Sequence, residues 1–146
     1  MKDINYDGTI IELERELRHL CTVIKQKGRE ILTNFEITPP QFQALQYLIT
    51  EENITIGELS NKMYLACSTI TDLVDRMEKN SLVKRVRDNK DRRVVRIIVL
   101  DKGHEIINEV LHARRQYLGN ILMDLNNGEK DNILKSIEMV YSRTVE

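Results

Sequence analysis

Tryptophan is missing from this chain of 146 residues, aromatics make up only 5% of it, and proline occurs at positions 39 and 40 alone. With its breakers confined to one dipeptide, the chain is expected to run in long, uninterrupted helices. Cysteine occurs twice, at Cys21 and Cys67, too few and too isolated for a disulfide framework. No apolar run approaches the roughly 18 to 20 residues of a membrane span. Met1-Lys2-Asp3-Ile4-Asn5 has neither the apolar core nor the cleavage pattern of a signal peptide, so a reducing, cytoplasmic setting without membrane contact is expected. Gly-rich phosphate loops, nucleophile motifs and paired His/acid constellations are also missing, which argues against an enzyme and against a bound cofactor. His104 and His112 lie eight residues apart on one helix, too far for a chelating pair, so no metal is expected.

Net charge is nearly absent too, at −1, but this total hides a segregation. Residues 60–99 hold ten Lys/Arg against five Asp/Glu, a local excess of +5 that leaves −6 for the remainder. A basic middle framed by acidic ends concentrates positive field on one surface and steers phosphate polymers towards it. An apolar content of 41% over this length suits one domain with one core.

Apolar residues at 10, 13, 17, 20, 24, 31 and 35 predict a long amphipathic first helix that ends before Ile37. Thr38 and Gln41 have capping-box spacing and Pro39 suits a first turn, so a second helix is expected over about Pro40 to Thr50, burying Phe42, Leu45, Leu48 and Ile49. Thr55 and Glu58 repeat the box ahead of a short third helix to about Met63, with Ile56 and Leu59 inward. Cys67 to Lys79 forms a fourth, with Ile70, Leu73, Val74 and Met77 on its inner face and Asn80 as its left-handed stop. Leu82 to Val86 and Val94 to Val99 read as an antiparallel pair joined by the charged turn Asp88-Asn89-Lys90-Asp91-Arg92-Arg93. Asp101 is the expected cap of a long final helical region, broken at Asn126-Asn127-Gly128 before a last helix.

A short helix followed by one with a small, polar N-terminal face is the helix-turn-helix arrangement, whose second helix enters the major groove of duplex DNA. The expected contacts on that helix are Cys67, Ser68, Thr69, Thr71, Asp72 and Arg76; a purely capping role for Ser68 and Thr69 is the alternative. A cationic turn beside it reaches the minor groove, which adds Lys90, Arg92 and Arg93 as DNA contacts, with Asp91 orienting them.

On these residues the chain resembles the winged-helix regulators of the MarR (multiple antibiotic resistance regulator) type, over nearly its whole length. Asp88-Asn89-Lys90-Asp91-Arg92-Arg93 followed by Ile98-Val99-Leu100-Asp101-Lys102-Gly103 is similar to the family's Asp-x-Arg wing and strand-to-helix exit. The resemblance implies a mainly α (α+β) fold, a winged helix-turn-helix with N- and C-terminal dimerisation helices. Residues 1–146 then form a single domain, with about 37–100 as the winged part and about 8–35 and 101–146 as dimerisation helices. It also makes Asp91 and Arg93 the signature pair, with Arg93 in the minor groove. A homodimer is expected besides from apolar stripes in both terminal regions that a small core cannot cover.

The implied function is sequence-specific binding of double-stranded DNA at an inverted-repeat operator by a small-molecule-responsive repressor. Ser81-Leu82-Val83 departs from the family's usual Gly-Leu-Val, and Asp101 from its usual Thr. Peroxide-sensing members carry their cysteine about two helical turns before the place of Cys21, so organic-peroxide sensing does not transfer. Two rival readings are a winged-helix module that docks proteins, and a redox switch at Cys67 beside the reading helix.

Overall fold

The computed structural model describes residues 5–145; the segment 1–4, on which the signal-peptide argument falls, lies outside the described residues. The elements in order are α1 (Gly8–Asn34), α2 (Pro39–Thr50), α3 (Ile56–Met63), α4 (Cys67–Lys79), β1 (Val83–Arg87), β2 (Val95–Val99), α5 (Asp101–Ile121) and α6 (Asn127–Thr144). The arrangement is mainly helical with one small sheet, as expected. The chain divides into a compact unit up to Val110 and another from Leu111 onward.

Local hydrogen bonding explains most helix starts. Thr38 accepts from the Gln41 amide while the Gln41 side chain accepts from the Thr38 amide, and Thr55 with Glu58 does the same for α3. Asn126 and Glu129 build a third such box. The break before α6 therefore ends at Asn126; Asn127 and Gly128, expected in the break, already form the first turn. Asp101 is likewise the first helical residue of α5 rather than its cap, and the Leu100 carbonyl accepts from the Gly103 and His104 amides. An acid in a first turn still opposes the positive end of the helix dipole.

The expected stop at Asn80 is corrected by one residue. Asn80 has φ −86°, whereas Ser81 takes the left-handed conformation at φ 62°. The Leu82 amide donates to the Met77 carbonyl at 2.9 Å and the Ser81 amide to the Glu78 carbonyl at 3.0 Å. This pair of bonds requires the residue after the cap, not the cap itself, to turn left-handed. Ser81 thus occupies the conformation that favours glycine.

In the first unit, Ile31 and Leu32 of α1, Phe42, Ala44, Leu45 and Leu48 of α2, Leu59 and Met63 of α3, and Ile70, Val74 and Met77 of α4 are buried with Leu82, Val83 and Ile97. Ile49, Ile56 and Leu73 are only half-buried. The strands pair antiparallel from Val83 with Val99 to Arg87 with Val95, one residue beyond the expected end of β1. The α2–α3 loop joins them: the Ile97 amide donates to the Ile54 carbonyl at 3.0 Å. α5 enters so tightly that a Cβ on the buried Gly103 would stand 2.5 Å from the Leu82 carbonyl oxygen. In the second unit α6 buries no residue.

Candidate nucleic-acid interface

The outer face of α4 is open. Cys67, Ser68, Thr69, Thr71, Asp72 and Arg76 are all exposed, while Ile70, Val74 and Met77 anchor the opposite face. The N-cap of α4 is Ala66, and no side chain caps the helix. Ser68 and Thr69 therefore do not serve as caps, and their hydroxyls have no hydrogen-bond partner among the described residues. Thr71 donates its hydroxyl to the Cys67 carbonyl at 2.8 Å, which leaves it only acceptor capacity for another group. Cys67 is an exposed free thiol at the first helical position.

The turn between β1 and β2 is ordered by its own carboxylates. Asp88 accepts from the Lys90 amide at 2.8 Å, and Asp91 accepts from the Arg93 amide at 3.0 Å. Asp91 also holds the Arg93 guanidinium fork-on-fork, Nε at 3.1 Å and Nη2 at 3.2 Å. The Arg93 side chain nevertheless stays 92% exposed. A guanidinium oriented by one carboxylate and open on its remaining edge can still donate to another anion. Arg92 is exposed, with its carbonyl accepting from Arg87 Nη1 at 3.2 Å; Lys90 is exposed as well.

Both acids sit below the ordinary aspartate range. For Asp88 the Lys90 amide is the main cause and the Arg96 guanidinium the next; for Asp91 it is the Arg93 side chain, then its amide. Arg96 donates in turn to Asp88 at 3.1 Å and to the Asn53 carbonyl at 2.8 Å, tying the turn to the α2–α3 loop.

Arg85 makes a set of contacts that no local motif signals. Its amide donates to Glu78 at 2.7 Å, and its guanidinium donates to Glu78 at 3.3 Å, to Asp75 at 2.5 Å and to the Thr71 carbonyl at 3.3 Å. One side chain of β1 thus spans two turns of α4 and joins that helix to the base of the hairpin. Its partners lie 7, 10 and 14 residues away in sequence, beyond the reach of any local motif. Tyr64, in the turn between α3 and α4, is left-handed at φ 54° and 94% exposed.

Among the described residues no cluster of His, Cys, Asp or Glu could hold a metal ion, and no helix is long and apolar enough to cross a membrane. A family model for the MarR family matches residues 37–95. The chain is 55% identical over 120 residues, 82% of each protein, to the uncharacterized HTH-type transcriptional regulator YsmB of Bacillus subtilis. It is 27% identical over 123 residues to the HTH-type transcriptional repressor MdtR of the same organism, covering 84% of this chain and 79% of that one. A solved MarR family protein from Bacillus stearothermophilus superposes with a TM-score of 0.88 at 50% identity, covering 97% of this chain and 99% of that one.

Proposed function

Because this chain belongs to the MarR family of helix-turn-helix transcriptional regulators, which are not enzymes, we propose that it acts in the cytoplasm as a homodimeric repressor whose twin reading heads grip an inverted-repeat operator. The observation that carries this reading is the open face of α4 beside the pre-oriented, 92% exposed Arg93, with Arg85 binding helix and hairpin into one head. In it, Ser68, Thr69, Thr71, Asp72 and Arg76 meet base edges and phosphates of the major groove, with Cys67 at the helix entry. Arg93, Arg92 and Lys90 enter the neighbouring minor groove, and Asp91 orients Arg93.

A second copy is supported by the uncovered apolar stripes. Ile10, Leu13, Leu17, Leu20 and Ile24 recur at alternating three- and four-residue steps on α1 and remain 45–54% exposed. On α6, Leu134, Ile137, Val140 and Tyr141 are 49–66% exposed. Leaving such stripes in water costs about 25 cal/mol per Å2, and each is covered most simply by the same stripe on a twin subunit. Two-fold pairing sets the reading helices about 34 Å apart, on successive major grooves. Repression follows the role that the MdtR relative carries in its name. A small-molecule effector releases the operator by preferring one spacing of the two heads, since a ligand with equal affinity for both spacings shifts nothing.

The test is fluorescence anisotropy on a duplex selected from a random pool. Affinity should fall steeply with rising salt as phosphate contacts release counterions, and Arg93→Ala should cost about 1–3 kcal/mol. Salt-insensitive binding would favour a protein-docking module instead. Sedimentation that finds only protomers at micromolar concentration would remove the dimer.

A further inference from the structure

Tyr64 combines two features that no other described residue shares, a left-handed backbone set by the close of α3 and a nearly fully exposed aromatic side chain. A bulky side chain in the left-handed region is disfavoured by contact between its Cβ and the following carbonyl, yet Tyr64 sits there at φ 54° and ψ 40°. At 94% exposure it is also the most exposed of the large apolar or aromatic side chains among the described residues, and its hydroxyl has no hydrogen-bond partner among them. The turn itself does not need a tyrosine. It is closed by the Leu65 amide donating to the Ser60 carbonyl at 3.2 Å and by the Ser60 hydroxyl donating to the Leu65 carbonyl at 2.5 Å. Those bonds would form with glycine at 64, and at lower conformational cost. The Tyr64 amide donates to the Ser60 and Asn61 carbonyls, but an exposed aromatic side chain at a position glycine fills at lower cost, with no partner for its ring or hydroxyl among the described residues, points to a partner outside the chain.

The position names the partner. Tyr64 lies three residues before Cys67, the first residue of α4, so at most about 10 Å of chain separates it from the start of the reading helix. We propose that Tyr64 is a DNA-contacting residue whose phenol donates a hydrogen bond to a phosphate of the duplex strand flanking the α4 entry. This rests on the DNA-binding reading above. Tyrosine hydroxyls are established phosphate donors, and such contacts set register on the duplex without reading its sequence. Being neutral, the donor releases no counterion, so its loss should lower affinity while leaving the slope of affinity against salt unchanged.

Two variants test it. Tyr64→Gly relieves the left-handed strain and removes the phenol, so its melting temperature should rise while its affinity for the selected duplex falls about fivefold or more. A destabilised fold cannot produce that opposed pair of changes. Tyr64→Phe keeps the ring and removes only the hydroxyl; it should lose most of the same affinity, on operator and on unrelated duplex alike, with an unchanged salt slope. Bound duplex should also shield Tyr64 from nitration by tetranitromethane. Wild-type affinity in both variants, or equal nitration of Tyr64 with and without duplex, overturns the assignment while leaving the DNA-binding reading intact. Failure of the unmodified protein to bind any duplex overturns both.

Discussion

Replacing Gly103 by alanine should destabilise the protein, against the usual effect of alanine within a helix. An added Cβ at 103 would lie 2.5 Å from the Leu82 carbonyl oxygen, 2.7 Å from Val99 Cγ1 and 3.3 Å from Leu45 Cδ2. The first neighbour is backbone and cannot rotate aside, and that oxygen accepts the Leu100 amide at 2.9 Å. Overpacking of this kind costs about 1–3 kcal/mol, and weakening the Leu100 bond adds about 1 kcal/mol. The gain in helix propensity returns about 1 kcal/mol. The expected net loss is about 2 kcal/mol, read from urea unfolding by circular dichroism at one fixed protomer concentration. Gly57→Ala is the matched control, because its Cβ would meet only Thr55 Oγ1, at 3.9 Å. It should leave stability unchanged or raise it by up to about 1 kcal/mol. A Gly103→Ala protein as stable as the parent would refute the tight seat of α5 against the Leu82 and Val99 strand ends.

Three further outcomes are expected. Arg85→Ala should cost about 1–2 kcal/mol of stability, discounted for its partly exposed partners, and should weaken duplex binding more than Arg85→Lys, which keeps one charged donor; calorimetry and anisotropy on the same samples check both. Ser81→Gly should raise stability by up to about 1 kcal/mol, since glycine adopts φ 62° without a Cβ penalty; an unchanged melting temperature would contradict it. On acidification the turn should hold until the pH is below 3.8, the ordinary aspartate value. The folded carboxylates titrate lower than they would unfolded, so their contribution is complete above that value and disappears as pH falls through the depressed one. The Lys90 and Arg93 amide resonances report it, and a midpoint at or above 3.8 would refute the assigned hydrogen bonds.

Features encoded within four residues are legible in the amino-acid sequence itself. The Thr38–Gln41 and Thr55–Glu58 boxes work through side chain and backbone of the same turn, so their spacing carries the geometry. The hairpin follows from β-branched runs either side of a charged turn, and Asp91 beside Arg93 lies within one loop. Competition and distance are what local pattern does not resolve. Asn80 is the better left-handed residue on intrinsic preference, but the hydrogen bonds from Ser81 and Leu82 back into α4 decide the position, and the cost falls on serine. Asp101 and Asn127-Gly128 are displaced by one residue or two because local composition marks a boundary zone better than its first residue. Arg85, Gly103 and Tyr64 stay silent: the first two act through residues far along the chain, and the third is unusual only in its backbone angle and exposure.

Arg85 and Arg96 each bridge a joint between elements, one between α4 and β1, the other between the hairpin turn and the loop at Asn53. A head cross-braced at both joints behaves like one jaw of a calliper. Under the proposed dimer, braces of this kind favour an effector that acts at the pivot, widening or narrowing the gauge between jaws that keep their own shape.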